Sequence, residues 1–394
     1  MAFMKRKEIL RTFLERGTQL DKQSLEFFLE DENRIQEFLD KVKDLELPPI
    51  LSLDFVRKIL AERKVEVKII KTFEKKEEEI SISDISSLLN KRYEKISSLL
   101  GRRLELVNLI SINKIGPRTR KFSIIGMVRE KDEYEKSLML EDKTGEIKVF
   151  LEDETLLSKI VEDEIVGAVC SKKEGSFFAK KIIFPDIPLK KEIAKSEKEV
   201  KCLFISDLHL EKEFKQEYLE NLYKFLEKDR VDLIFVLGNI SSRTKDVKDF
   251  FSSLPKTQKI FVKGENDANP DIDALKLEEF AFLEVENVKF LLLHGKLVEK
   301  YLKIFDNPIN TLLELLKKRH LNPTFDVSLC SSDEIFLIDP VPDIIACGHF
   351  HIPASTNYKG TTILSTGSFL TQPIYWIINL KNREILKLDL REKL

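Results

Sequence analysis

The run K-C-L-F-I-S-D-L-H, Lys201 to His209, decides the fold. It opens as a short apolar β-like segment, Lys201–Ser206, and ends on Asp207 and His209. A strand that stops on metal-ligating residues delivers their side chains to one edge of a sheet, where loops gather. The pattern recurs downstream. L-G-N-I places Asn239 after the apolar run Leu233–Leu237, and K-G-E-N-D places Glu265, Asn266 and Asp267 after Lys259–Val262. L-H-G then supplies His294, and G-H-F-H supplies His349 and His351. A helical segment, Glu217–Glu227, lies between the first two runs, so residues 200–394 read as an α/β layered domain.

Taken singly, a D-x-H is usually structural and a G-H-x-H only suggestive. The ordered set is specific, because four of the five histidines in the chain fall within it. His320, in K-K-R-H-L, stands outside and reads as a structural or surface residue. Imidazoles combined with carboxylate and amide oxygens suit Mn, Fe, Zn or Mg. Two such ions about 3.5–4 Å apart can share a ligand and activate a water for attack on phosphorus.

Upstream, the pattern changes. From about Leu104 to Pro188 short strands alternate with Gly turns: Phe122–Val128, Ser137–Glu141, Glu146–Leu151, Ile165–Cys170 and Ser176–Phe184, with D-K-T-G at Asp142–Gly145 as a tight turn. A small β-barrel of the OB-fold type is the natural candidate. The stretch K-I-G-P-R-T-R-K brings Lys114, Arg118, Arg120 and Lys121 near one loop, either to meet a nucleic-acid backbone or as a solvated turn. The first 60 residues carry helical spacing, with Gly17 and Pro48–Pro49 as breaks. The domain organisation is therefore a helical module (1–62), a charged linker (63–84), a barrel with a leading helix (85–189), a second linker (190–199) and the layered domain (200–394).

Across all 394 residues the charges nearly cancel, to a formal net of −2, so nucleic-acid binding would have to be local. No apolar run reaches the roughly 20 residues of a membrane helix, and Met1–Gly17 lacks a signal-peptide apolar core. A cytoplasmic protein with no membrane partner is expected. Four dispersed cysteines, Cys170, Cys202, Cys330 and Cys347, form no C-x-x-C pair and read as buried small residues.

The ordered clusters resemble the calcineurin-like metallophosphoesterases. More closely, the chain resembles the small subunits of archaeal family D DNA polymerases. The stretches S-I-I-G-M-V, L-E-D-K-T-G-E-I-K-V, I-I-F-P-D-I-P, K-K-R-H-L-N-P and V-P-D-I-I-A-C-G-H-F-H carry that likeness. It implies a large catalytic subunit as partner, DNA as substrate, contact with a sliding clamp through the complex, and 3′–5′ exonuclease proofreading. It also implies that Asp207, His209 and His351 hold one divalent ion, and that His294 and His349 hold a second. The chain departs from the family at the remaining positions. Asn239 stands where the family has a bridging Asp, and Ser242 where it has another Asp. Glu265 replaces a ligand Asn and Asn266 the general-acid His, while Asp267 is retained as a catalytic-site residue. A neutral amide bridges two cations poorly, and Asn266 cannot donate a proton as an acid. Glu265, however, restores the carboxylate that Asn239 removes. An altered nuclease, a non-catalytic scaffold and a stand-alone phosphoesterase are the three readings these residues leave open. The helices and barrel argue against the last.

Overall fold

The computed structural model describes residues 6–31, 33–43, 47–60, 65–73, 81–189, 191–213, 216–229, 231–329 and 334–391. The chain divides into two compact units, residues 1–64 and 65–394.

The first unit contains helices α1 (Arg6–Leu14), α2 (Lys22–Glu30), α3 (Asn33–Lys41) and α4 (Leu53–Leu60). Strands β1 (Gln19–Leu20) and β2 (Ile50–Leu51) pair in parallel. Asp21 caps α2 by accepting from the Ser24 amide, which satisfies a free N–H of the first turn. Phe13, Phe28 and Phe38 are fully buried and meet ring to ring, with centroids 5.3–5.9 Å apart. Residues 1–5, part of the first helix expected from the sequence, lie outside the described residues.

The second unit starts with a correction. Residues 67–72 fall in the stretch expected to be a linker, yet they form β3 (Val67–Thr72), the edge strand of a six-stranded sheet. The charges of this stretch masked an apolar series. Val65 is buried in the core, Val67 packs against it, and the Phe73 amide donates to the Phe280 carbonyl. Residues 74–80 of the same charge run lie outside the described residues. Helix α5 (Ile82–Leu100) follows, opened by a reciprocal Ser81–Asp84 capping box.

Strands β4 (Lys121–Asp132), β5 (Ser137–Asp142), β6 (Gly145–Leu151), β7 (Ile165–Lys173) and β8 (Ser176–Ile183) close into a barrel in the order β4-β5-β6-β8-β7. Phe122, Ile124, Val149 and Ala168 are among the alternate residues that fill it. The barrel is joined to the C-terminal domain by polar links, one of them buried. Lys318 reaches Glu164 at 2.6 Å, the Phe325 amide donates to Asp163, and the Asp186 amide donates to the Lys317 carbonyl.

The C-terminal domain is built on β9 (Lys201–Ile205), α6 (Gln216–Lys228), β10 (Leu233–Leu237), α7 (Thr244–Ser253), β11 (Gln258–Val262), β12 (Leu275–Leu277), β13 (Phe280–Val285) and β14 (Val288–Leu293). It continues through α8 (Leu302–Phe305), α9 (Pro308–Lys318), β15 (Ile344–Cys347), β16 (Ala354–Tyr358), β17 (Thr361–Ser365), β18 (Ile374–Asn379) and β19 (Ile385–Asp389). Two six-stranded sheets result, ordered β12-β11-β10-β9-β18-β19 and β16-β17-β15-β14-β13-β3. Strand β10 is apolar and buried at all five positions, as a central parallel strand covered on both faces must be. The sheets face each other across one core in which Phe204, Phe235 and Phe290 stack. Helices α6 and α7 cover the outer face of the first sheet and α9 that of the second. The stretch 191–199, expected to be a linker, is tied to this domain: Lys191 pairs with Asp343, and the Ser196 amide donates to the Leu380 carbonyl. Residue 190 lies outside the described residues.

Candidate metal centre

Five loops at the carboxyl ends of β9, β10, β11, β14 and β15 converge where the two sheets meet. Two clusters form there. Asp207, His209 and His351 place one ligand atom each within 4.8 Å of one another, and so do Asp207, His294 and His349. Asp207 is shared, so a single fully buried carboxylate serves both groups.

The backbone is shaped for this convergence. Asp207, His209, Asn239, His349 and His351 all have positive φ, between 46° and 67°. Side chains disfavour this left-handed region, so its concentration at five candidate ligands marks a site over-determined by its surroundings. Glycines permit the close approach. A Cβ at Gly264 would lie 2.6 Å from Asn239 Oδ1, and one at Gly238 would overlap the His294 ring.

Hydrogen bonds set which imidazole nitrogen faces inward. His294 Nδ1 lies 3.0 Å from the Leu237 carbonyl, which leaves Nε2 buried with no hydrogen-bond partner. Glu265 Oε2 is 2.7 Å from that Nε2, but not in hydrogen-bond alignment. His209 Nδ1 lies 3.2 Å from Glu211, so its Nε2 turns to Asp207, 3.8 Å away. His349 Nε2 lies 3.4 Å from Glu299, and its Nδ1 lies 3.7 Å from Glu265. His351 Nε2 is 3.6 Å from Asp207 and is the most exposed of the four histidines. The buried Asn239 Oδ1 has no hydrogen-bond partner, and the buried His294 Nε2 faces only the Glu265 carboxylate; a donor set of this kind fits a cation.

The carboxylates Asp207 and Glu265 favour positive charge at the centre. Burial opposes ionisation of Asp207, but His351, His294, Ser206 and the His349 amide together hold its carboxyl below the ordinary value. His294, against its burial, is raised by Glu265 and Asp207. Contact with His294 holds Glu265 down to about 2. Burial lowers His349.

The other expected residues fall as follows. Asn239 is buried and its Nδ2 donates to Asp207 Oδ1 at 3.3 Å. Glu265 sits on the His294/His349 side, and both ligand clusters form without it. Asn266 is exposed on the same loop. Asp267 requires a correction. Its two oxygens accept from the amides of Asn239, Ile240, Ser241 and Gly264 at 2.6–3.2 Å, so it fastens two loops together and offers little to a reactant. Lys114, Arg118, Arg120 and Lys121 are exposed on the barrel and belong to neither cluster. His320 is a buried structural residue bonded to Glu334 at 2.8 Å. Cys170, Cys202 and Cys347 are buried free thiols, while Cys330 lies outside the described residues. Sequence reasoning missed Glu211 and Glu299. Glu211 stands two residues after His209, a spacing that could have flagged it. Glu299 reaches His349 across some 50 residues of chain and left no local signal.

Fold and donor set define the class. Residues 200–382 match the calcineurin-like phosphoesterase superfamily domain, and the C-terminal domain is of that kind. The homologues of the chain are DNA polymerase II small subunits. That of Pyrococcus abyssi is 27% identical over 367 residues, covering 75% of this chain and 59% of that protein. That of Pyrococcus horikoshii is 28% identical, with 75% and 59% covered. That of Archaeoglobus fulgidus is 26% identical over 410 residues, with 88% and 83% covered. The chain thus spans 59% of the length of the Pyrococcus relatives. Among the described residues, no helix is long and apolar enough to cross a membrane.

Proposed function

We propose that this chain is the small subunit of a two-subunit DNA polymerase, and that its C-terminal domain is a metal-dependent 3′–5′ exonuclease of altered design. The observation that carries the proposal is the shared Asp207 between two histidine pairs, in a chain similar to small subunits on both sides of that site. Its partner is a large catalytic subunit, and the five-stranded barrel serves as an OB-type module.

Asp207, His209 and His351 would hold one divalent ion; Asp207, His294 and His349, assisted by Glu265, would hold the other. Such a pair supplies a Lewis acid for the phosphoryl oxygen and a hydroxide nucleophile at neutral pH. The chain's own residues account for the rest. The Leu237 carbonyl and Glu211 orient the His294 and His209 rings. Glu265 places a negative charge beside His294 and His349, where neutral Asn239 supplies none. Asn266 can hydrogen-bond a leaving oxygen but cannot protonate it, so that oxygen takes its proton from solvent. Hydrolysis slower than with a general acid is the outcome this reading expects.

The assembled two-subunit enzyme, given Mn²⁺ and a 3′-mismatched primer, should shorten the primer, and Asp207→Asn should abolish the shortening. If neither mismatched nor single-stranded ends are degraded, the exonuclease reading fails and the non-catalytic scaffold stands. Asn239 and Asn266 are the two residues that favour the scaffold.

A further inference from the structure

We infer that one mouth of the barrel is a binding site for single-stranded nucleic acid, built from a basic turn and a half-buried aromatic ring. It rests on the polymerase reading only for the biological identity of the strand. The turn is ordered, because the Thr119 amide donates to the Gly116 carbonyl at 3.1 Å and the Gly116 amide donates to Thr119 Oγ1 at 3.0 Å. Arg118 is held within it, and Arg120 and Lys121 carry the chain into β4. All three are exposed.

The β7–β8 hairpin is bound to the same place, since the Lys172 amide donates to the Arg120 carbonyl at 2.9 Å. Lys172 Nζ lies 5.5 Å over the ring of Phe177. That ring is half-buried and packs edge-on against Phe122, the residue that follows Lys121. None of Arg118, Arg120, Lys121 and Lys172 has an ion-pair partner among the described residues, and Glu174 at the hairpin tip is the nearest acid in sequence. Elsewhere on the barrel Lys148 is paired with Glu135 and Lys173 with Glu152, while Lys180 and Lys181 of β8 stand exposed away from the turn.

In a chain of net charge −2, four unneutralised cations at one barrel mouth form a local positive field that the whole molecule lacks. Cations alone would attract any polyanion. Lys172 lies over the adjacent ring, so its turn toward a phosphate would uncover a surface on which an unpaired base can stack and a paired base cannot. Together they favour a single strand over a duplex.

The test is fluorescence anisotropy of the full chain with a labelled oligothymidylate in EDTA, so that the state of the metal centre has no bearing on the result. The single strand should bind more tightly than a duplex or base-free polyphosphate of equal charge. The logarithm of the affinity should fall with the logarithm of salt concentration at a slope near −3, since about four phosphates are neutralised at roughly −0.7 each. Arg118→Ala and Lys121→Ala should each flatten that slope by about 0.7. Phe177→Leu, which keeps apolar packing on Phe122, should weaken single-strand binding about 5- to 150-fold and leave the slope unchanged. Equal binding of polyphosphate, or an unchanged slope in both charge variants, overturns the site. If Phe177→Leu fails to fold, Phe177→Tyr must retain the preference for single strands; loss of that preference in a folded Tyr variant also overturns it.

Discussion

In the proposed nuclease two residues would set the chemistry of the centre: Asn266, which cannot give a proton, and Glu211, which lies against the His209 imidazole. A general acid is worth typically about 10²–10⁴-fold in rate. Asn266→His should therefore raise primer shortening by at least about tenfold, if the proton is what limits an assembled site. No gain, in a variant of unchanged metal content, would show that the limit lies elsewhere. Glu211 Oε1 fixes the His209 ring from outside the ligand set. Removing such an outer partner typically costs about 10–100-fold in metal affinity. Glu211→Gln should weaken binding of one ion by that order in calorimetric titration, and Glu211→Asp should recover part of it. Unchanged affinity in Glu211→Gln would remove Glu211 from the design.

Helix α5 is locked to the C-terminal domain by charges rather than by apolar contact alone. Arg92 Nε lies 2.9 Å from Glu334, and His320 Nε2 lies 2.8 Å from the other Glu334 oxygen, all three side chains being buried. Burial opposes ionisation of Glu334, yet His320 and Arg92 hold its carboxyl down to about 2. Burial, reinforced by Arg92, lowers His320 to about 4. The sign is fixed by where protons bind. Between pH 6.5 and about 4 the unfolded chain takes up a proton at this histidine and the folded chain does not. Stability from His320 is present above pH 6.5 and is lost as pH falls toward 4. Thermal melting should show the decline, and His320→Asn should flatten it; an equally steep decline in the variant would clear His320. Arg92→Met leaves buried Glu334 with the His320 imidazole as its remaining partner, at a cost of up to about 3–5 kcal/mol measurable by urea unfolding.

The boundary between the two units falls before β3, not after the charge run. A chain that begins at Val65 keeps β3 paired along β13 through five residue pairs. A chain that begins at Ser81 uncovers that edge, including the backbone of Phe282 and Leu283. The first should melt near the temperature of the parent's second unit. The second should melt several degrees lower or aggregate through the exposed edge. Equal melting of the two would place β3 outside the stable fold.

The sequence alone determined the layered domain and the candidate ligand histidines, because apolar β-like runs ending in Asp or His report both strand and candidate site within a few residues. It also held the barrel, whose strands alternate at short range and turn on Asp142–Gly145. It could not assign β3, because strand pairing across some 210 residues leaves no mark in a charged stretch. It suggested a catalytic part for Asp267, because identity in a motif does not show that four backbone amides already occupy the carboxylate. Most of all, it left open which carboxylate the two clusters share. Only the tertiary structure decided that, by bringing five loops from two sheets together around Asp207 and leaving Asn239 and Glu265 at its sides.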